Sequence, residues 1–216
     1  MESGSIVEFI DRQTIMCAVI LEVKNSRLRL LTENNREVNL SANRLLHRDK
    51  VRLDLSMSRD KMVDALKGVA SKRKELLNQV DIKDLWEALN TEQVWIDLAT
   101  MTAFCFPDNP NGDHESAVIR AFFDDRLYFK FNLDRFFPNS EEQVARLICE
   151  RQEEARRIRI LEAGVDWLVS LKNATPLPEQ ISEIEIDEFK RILKSYYLFG
   201  KVSRHHALGK AMINGG

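Results

Sequence analysis

The stretch that most constrains the fold of this chain is RLYFKFNLDRFFPNSEEQVARL, residues 126–147. Leu127, Phe129 and Phe131 alternate with polar or charged side chains, and this period of two is typical of a strand with one buried face. The Asn-Leu-Asp sequence at 132–134 can turn the chain into a second, shorter strand. We therefore expect a β-hairpin here.

A helix start comes directly after the hairpin. Ser140 is a favourable N-cap residue, and Gln143 stands three positions later, where its side chain can return a hydrogen bond to the cap. Two glutamates between them suit the positive end of a helix dipole. The pattern predicts a long helix over 141–171, so the hairpin marks the junction between two parts of the chain.

Charge is unevenly distributed along the 216 residues, although the net charge is only −2. Residues 22–52 contain eight Lys or Arg against four Asp or Glu, and residues 59–75 contain six against three. Residues 80–125 reverse the balance, with two basic residues against ten acidic ones. A polyanion would favour the first two segments and avoid the third.

The first part of the chain has the pattern of a small β-barrel. Runs of β-branched and alternating apolar residues are separated by the short turns KNS at 24–26 and ENN at 33–35. Short strands packed into about fifty residues predict an SH3-like or OB-like barrel over residues 1–57.

Two arginines mark one face of this barrel. In RLRLLT, Arg27 and Arg29 alternate with leucines, so we expect both on the exposed face. An ordinary solvated surface and a nucleic-acid surface both fit this pattern. No aromatic residue lies between these basic residues, although a platform for base stacking would require one.

After residue 57 the apolar period changes from two to that of a helix. This change predicts a bridging helix over 58–80, which carries the basic sequence SKRK at 71–74. A solvated face and a phosphate contact are both compatible with this cluster.

Residues 81–139 have the element order of a winged helix-turn-helix domain, three helices followed by a hairpin. We expect the helix N-caps at Asp81, Thr91 and Asp113. The third helix holds the recognition-helix position, but it is acidic and would repel a phosphate backbone. This acidic winged-helix face therefore suits a spacer or a protein contact better than DNA reading.

Residues 140–216 predict helices, with breaks near Pro176, Pro178 and Gly200. The last helix, which we expect Ser203 to cap, carries an apolar stripe that would lack a partner: Ala207, Leu208, Ala211 and Met212. An exposed stripe of this kind predicts that the natural chain continues beyond Gly216.

The predicted fold class is therefore α+β. It comprises a small N-terminal barrel (1–57), a helical bridge (58–80), a winged-helix domain (81–139) and a helical region (140–216).

Motifs of catalysis are missing from the sequence. It contains no H-E-x-x-H, G-x-x-x-x-G-K, G-x-G-x-x-G or G-x-S-x-G pattern. His205 and His206 are adjacent, but neighbours on a helix diverge by about 100°, so they do not form a metal site. We assign no catalytic and no metal-binding residue to this chain.

Cysteine usage and hydropathy bear on the compartment. Cys17, Cys105 and Cys149 form no C-x-x-C pair, and each apolar context predicts a buried thiol. No apolar run approaches the roughly 20 residues that cross a bilayer. The start MESGSIVEF lacks the basic and apolar regions of a secretory signal. We expect a cytoplasmic protein with no membrane partner.

The order and character of these segments resemble the amino-terminal region of bacterial ribonuclease II (RNB-type) exoribonucleases. The resemblance rests on GSIVEFIDRQTIMCAVILEVKNSRLRLLTENNREVNL, on LYFKFNLDRFFP after an acidic winged-helix segment, and on LKSYYLFGK near the end. It spans nearly the whole chain, but it is a likeness of order and character rather than of a catalytic motif.

This resemblance implies a function for the parent protein. Members of that family use aspartates in a D-x-x-x-x-x-D-x-D-D arrangement to hold magnesium and hydrolyse single-stranded RNA from 3' to 5'. Asp54 and Asp60 match the first spacing, but Met62 and Val63 stand where the last two aspartates belong. The implied parent is a magnesium-dependent hydrolase, and we expect its catalytic domain, with its magnesium, to lie outside this chain.

The implied role of the chain itself is RNA binding or another accessory task. Weak binding of single-stranded RNA would use the basic residues of the barrel and the bridging helix: Arg27, Arg29, Arg44, Arg48, Lys72, Arg73 and Lys74. The alternative is a non-enzymatic interaction or regulatory module whose acidic winged-helix face recruits another protein.

Overall fold

A computed structural model describes residues 2–132 and 134–215, and the chain divides into two compact units, Met1–Val144 and Ala145–Gly216. The fold is α+β, as predicted. The finer division of the first unit into barrel, bridge and winged-helix domain stays a prediction.

The first unit begins with a five-stranded antiparallel sheet of order β4-β3-β2-β1-β5. Its strands are β1 (Ser5–Asp11), β2 (Thr14–Lys24), β3 (Arg27–Thr32), β4 (Glu37–Ser41) and β5 (Leu45–Arg52). The first four strands form a meander, and after a 3-10 turn at Ala42–Arg44 the fifth returns to pair with β1. This arrangement is consistent with the predicted small barrel.

Both faces of the central strands are buried, which explains the nearly continuous apolar run TIMCAVILEV. One face packs on helix α1 (Arg59–Leu77), where Val19 and Leu31 meet Leu66. On the opposite face, Phe9 and Ile20 pack against other apolar side chains of the strands. The first cluster therefore holds α1 on the sheet, and the second holds the strands together.

The segment predicted to form a winged helix, which we call the winged-helix part, comes after α1. Its elements are α2 (Ile82–Leu89), β6 (Ile96–Asp97), α3 (Leu98–Cys105), α4 (Gly112–Asp124), β7 (Phe129–Asn132) and β8 (Arg135–Pro138). The three strands pair in the order β6-β8-β7. Phe122 of α4 anchors their core, with ring centroids 5.0 Å from Phe129 and 4.5 Å from Phe136. The predicted hairpin is thus confirmed, while Leu133 in its turn lies outside the described residues.

Two of the predicted helix starts are wrong. Thr91 caps no helix, because the chain first forms β6 and Asp97 then accepts the Thr100 N–H at 2.8 Å to start α3. Asp113 lies inside α4, whose cap is Asn111. The predicted cap at Asp81 is confirmed by a 3.0 Å hydrogen bond from the Asp84 N–H.

The second unit is helical. It comprises most of α5 (Glu141–Asn173), together with α6 (Glu183–Phe199) and α7 (His206–Gly215). The capping box that begins α5 forms as predicted: the Gln143 N–H donates to Ser140 Oγ at 3.3 Å, and the Ser140 N–H donates to Gln143 Oε1 at 3.1 Å. None of the described helices is long and apolar enough to cross a membrane.

The final helix has a partner, so the expectation of an exposed apolar stripe on it is wrong. Met212 is fully buried in a cluster with Trp167 and Phe189. Two glycines permit this packing, since Gly164 lies against Met212 and Gly209 lies against Tyr196. Met212 is therefore part of the core of the second unit, while Leu208 and Ala211 are half-buried and Ala207 is exposed.

Candidate nucleic-acid interface

Basic residues line the solvent-exposed side of strand β3 and the adjoining end of β2. Arg27 and Arg29 lie there on β3, and both are exposed as predicted. Strand pairing places Lys24 of β2 beside Arg27, and Glu22 of β2 beside Arg29. The sequence prediction omitted Lys24, which only the strand register brings next to the two arginines.

A shallow groove runs along these strands. It has a volume of about 390 Å³ and is lined by one acidic and three basic side chains with neutral neighbours: Glu22, Lys24, Asn25, Arg27, Leu28, Arg29 and Asn39. A groove with three cations and one carboxylate can contact the phosphates of a single strand.

Glu22 partly offsets this charge. Its carboxylate lies 3.0 Å from Lys24 Nζ and 3.7 Å from Arg29 Nε. The hydrogen bond from Lys24 and the two positive charges hold the pKa of Glu22 below its ordinary value. Within the described part of the chain Arg27 has no carboxylate at ion-pair distance, so its guanidinium is the most available cation of the groove.

The remaining predicted RNA-binding residues are dispersed. Arg44 is exposed in the 3-10 turn, and Arg48 is exposed on β5, which is separated from β3 by two strands. On α1, Lys74 is exposed, whereas Lys72 is bound to Asp113 at 2.7 Å. The structure thus brings Arg27 and Arg29 together and leaves the others apart.

Arg73 differs from all of these because its side chain is completely buried. Its Nη2 lies 2.6 Å from Asp49, its Nη1 lies 3.0 Å from Glu8, and its Nε lies 3.0 Å from Asp113. These three carboxylates come from β5, β1 and α4. Arg73 therefore joins α1 and the five-stranded sheet to α4 and has no surface to offer a ligand.

Glu8 extends this buried network. Its carboxylate accepts hydrogen bonds from Arg120 Nη2 at 2.6 Å and from Ser116 Oγ at 2.5 Å. Nearby, His47 Nε2 lies 3.1 Å from Glu115. We call the set the ion cluster; its members are Glu8, His47, Asp49, Arg73, Asp113, Glu115, Ser116 and Arg120.

Two carboxylates of the ion cluster, Glu8 and Asp113, have pKa values below their ordinary values. Burial would raise the pKa of Glu8, but the guanidiniums of Arg120 and Arg73 outweigh it, so the pKa lies below its ordinary value. Burial likewise opposes ionisation of Asp113, and hydrogen bonds from Lys72 and Arg73 bring its pKa down.

Helix α4 packs on α1 and β5, so the recognition-helix position is taken by contacts inside the first unit. The sequence predicts that the acidic residues of this helix form an outer surface, whereas Asp113 and Glu115 are bound within the unit. The sequence does contain one signal of these buried ion pairs, namely a single charged residue within an apolar run. Examples are Glu8 in SIVEFI and Arg120 in AVIRAFF.

Two further predictions concern thiols and metals. Cys17 is buried as predicted, and burial raises its pKa to about 12, but Cys149 is exposed, so the prediction is wrong there. Among residues 2–132 and 134–215, no three His, Cys, Asp or Glu side chains are grouped as metal ligands.

The comparisons with known proteins give a likeness of fold alone. The sequence matches no protein-family profile and no curated protein. Its structure is similar to an active-site mutant of the Dss1 exoribonuclease from Candida glabrata, with a TM-score of 0.54 and 10% sequence identity. The match covers 100% of this chain but only 32% of that enzyme.

Proposed function

We propose that this chain is the RNA-binding accessory region of a ribonuclease II-like exoribonuclease that degrades single-stranded RNA from 3' to 5'. The observation that carries the proposal is the open basic groove on β2, β3 and β4, where Lys24, Arg27 and Arg29 line one strip. The likeness of the whole chain to one part of an exoribonuclease supports it. Neither observation bears on a bacterial source.

In this proposal the groove contacts phosphates and reads no bases. Arg27 and Arg29 make the main contacts with help from Lys24, while Arg44, Arg48, Lys72 and Lys74 add weaker long-range attraction. Arg73 stays out of the contact set because three carboxylates already bind it. Its role is to hold the first unit together.

Hydrolysis and its magnesium belong, in the same proposal, to a catalytic domain outside this chain. Asp54 does not stand in for that domain, since its carboxylate accepts hydrogen bonds from the Ser56 N–H and hydroxyl at 2.9 and 2.8 Å and closes a local turn. The chain would guide RNA toward the catalytic domain or control access to it.

A titration of fluorescein-labelled single-stranded RNA tests the proposal. The double variant Arg27→Glu/Arg29→Glu should weaken binding at least tenfold, because two phosphate contacts become repulsive. Arg146→Glu/Arg157→Glu is the matched control: it changes the charge equally, at exposed positions of α5. The control should change the affinity less than threefold.

Salt provides a second readout. Each phosphate neutralised on a single strand contributes about −0.7 to the slope of log K against log salt. The groove variant should have a slope shallower by about 1.4 than the wild-type protein. A salt-independent affinity, or equal weakening by the groove variant and the control, would contradict the proposal.

A further inference from the structure

The three-stranded sheet of the winged-helix part carries an aromatic and basic patch on its outer face. Trp95, directly before β6, is 49% exposed although it is a large aromatic side chain. Its ring centroid lies 5.4 Å from that of Phe137 on β8, with 53° between the ring planes. Lys130 Nζ also lies close to Phe137, 5.5 Å from the ring centroid.

Strand alternation explains why these side chains share a face. Phe136 of β8 is fully buried, so its neighbours Arg135 and Phe137 point outward. Lys130 pairs in register with Phe137, and Ile96 pairs with Phe136. The inner face of the sheet therefore packs phenylalanines into the core. Its outer face carries an aromatic pair and two cationic side chains.

We propose that this outer strip, Trp95, Phe137, Lys130 and Arg135, is a stacking site for an unpaired base of single-stranded RNA. The exposed indole offers its π-face to a base, and Lys130 and Arg135 contact the neighbouring phosphates. This inference rests on the proposed function, but it uses residues remote in sequence from the groove. It supplies the aromatic platform that the basic strand of the barrel lacks.

The charges around the strip fit a phosphate-bearing ligand better than a basic or a purely apolar one. Asp97 is the one carboxylate in register with the strip, where it pairs with Arg135. Its side chain accepts the Thr100 N–H at 2.8 Å as the cap of α3, and this hydrogen bond lowers its pKa. The positive charge of Arg135 lowers this pKa further, so Asp97 offsets part of the charge of Arg135, while Lys130 stays beside the Phe137 ring.

Fluorescence of the full chain tests the stacking site directly. The chain has three tryptophans; Trp167 is buried and Trp86 is half-buried, with its Nε1 donating to the Asn139 carbonyl at 2.6 Å. Titration with a uridine-rich 12-nucleotide strand should quench the emission of the wild-type protein. The quenching should be lost in Trp95→Phe, which keeps a ring at the site.

Affinity measurements separate the ring from the charge. Trp95→Ala should weaken RNA binding about tenfold, which corresponds to about 1.4 kcal/mol, whereas Trp95→Phe should stay within threefold of the wild-type protein. Tyr197→Ala is the matched control, since Tyr197 is an 87% exposed aromatic residue of α6. An abasic strand of equal length should bind wild-type protein and Trp95→Ala equally.

The outcomes distinguish this inference from the proposed function. If Arg27→Glu/Arg29→Glu weakens binding while Trp95→Ala and the quenching assay show no effect, the stacking site is refuted and the groove remains. If wild-type protein binds no RNA at either low or physiological salt, both are refuted. Thermal melting followed by circular dichroism shows whether Trp95→Ala is folded. Trp95→Phe keeps a ring at the site and tests it through the loss of quenching.

Discussion

Single residues show how burial decides the role of a charge in this protein. Arg73 and its neighbour Lys72 belong to one basic cluster in the sequence, yet one is fully buried and the other is 57% exposed on its side chain. The helix period separates them, because adjacent residues point about 100° apart. Only Arg73 meets the inward carboxylates of the ion cluster.

Removal of Arg73 is expected to be severe. Arg73→Met should lower the free energy of unfolding by about 3–5 kcal/mol, because it leaves buried carboxylates without their partner. Arg59→Met on the same helix is the matched control: Arg59 pairs with Glu37 at the surface, where such a pair contributes about 1 kcal/mol or less. Urea unfolding of the full chain measures both, and similar losses in the two variants would show that the ion cluster is not stabilising.

At the scale of elements, the sequence predicts a helix or strand correctly where residues close in sequence determine it. The hairpin and the capped start of α5 depend on side chains within a few residues of one another, so their patterns were sufficient. The start of α3 was missed because Thr91 offers a cap in the sequence, whereas residues 96–97 are drawn into a sheet with β8. The ion cluster was missed because its members span more than 100 positions, a distance over which no local pattern operates.

Two helical glycines allow a matched test of packing between elements. Gly68 in α1 has open space around it, so Gly68→Ala should stabilise the protein by up to about 1 kcal/mol through helix propensity. A Cβ on Gly209 in α7 would lie 2.6 Å from Cβ of Tyr196 in α6. Gly209→Ala should therefore destabilise the protein, by about 1–3 kcal/mol. Thermal unfolding compares the two, and stabilisation by both would mean that α6 and α7 do not pack this closely.

The ion cluster also makes the stability of the first unit depend on pH. Glu8, Asp113 and Glu115 all have lowered pKa values in the folded protein, against ordinary values of 4.5, 3.8 and 4.5. The unfolded chain therefore binds more protons in this range, so the stabilisation is complete above about pH 5 and is lost as the pH falls through the folded pKa values. Urea midpoints should fall steeply between about pH 5 and pH 3.

The variant Glu8→Gln isolates the contribution of one carboxylate to this dependence. It should be less stable than the wild-type protein at pH 7 and should lose less stability on acidification, because one titrating group with a lowered pKa is gone. An equal loss in both proteins would assign the acid sensitivity to other groups.

At the scale of the whole molecule, we expect RNA binding and RNA hydrolysis to reside in different parts of the protein. Phosphoryl transfer by two metal ions needs carboxylates grouped around sites about 4 Å apart. The ion cluster brings several carboxylates together, but Glu8 among them is already paired with Arg73 and Arg120. The 216-residue chain with magnesium should therefore bind labelled single-stranded RNA without shortening it, as followed on a denaturing gel at stoichiometric protein. RNA shortening that co-purifies with the wild-type protein and disappears in Glu8→Gln would place a nuclease centre inside this chain and overturn the accessory role.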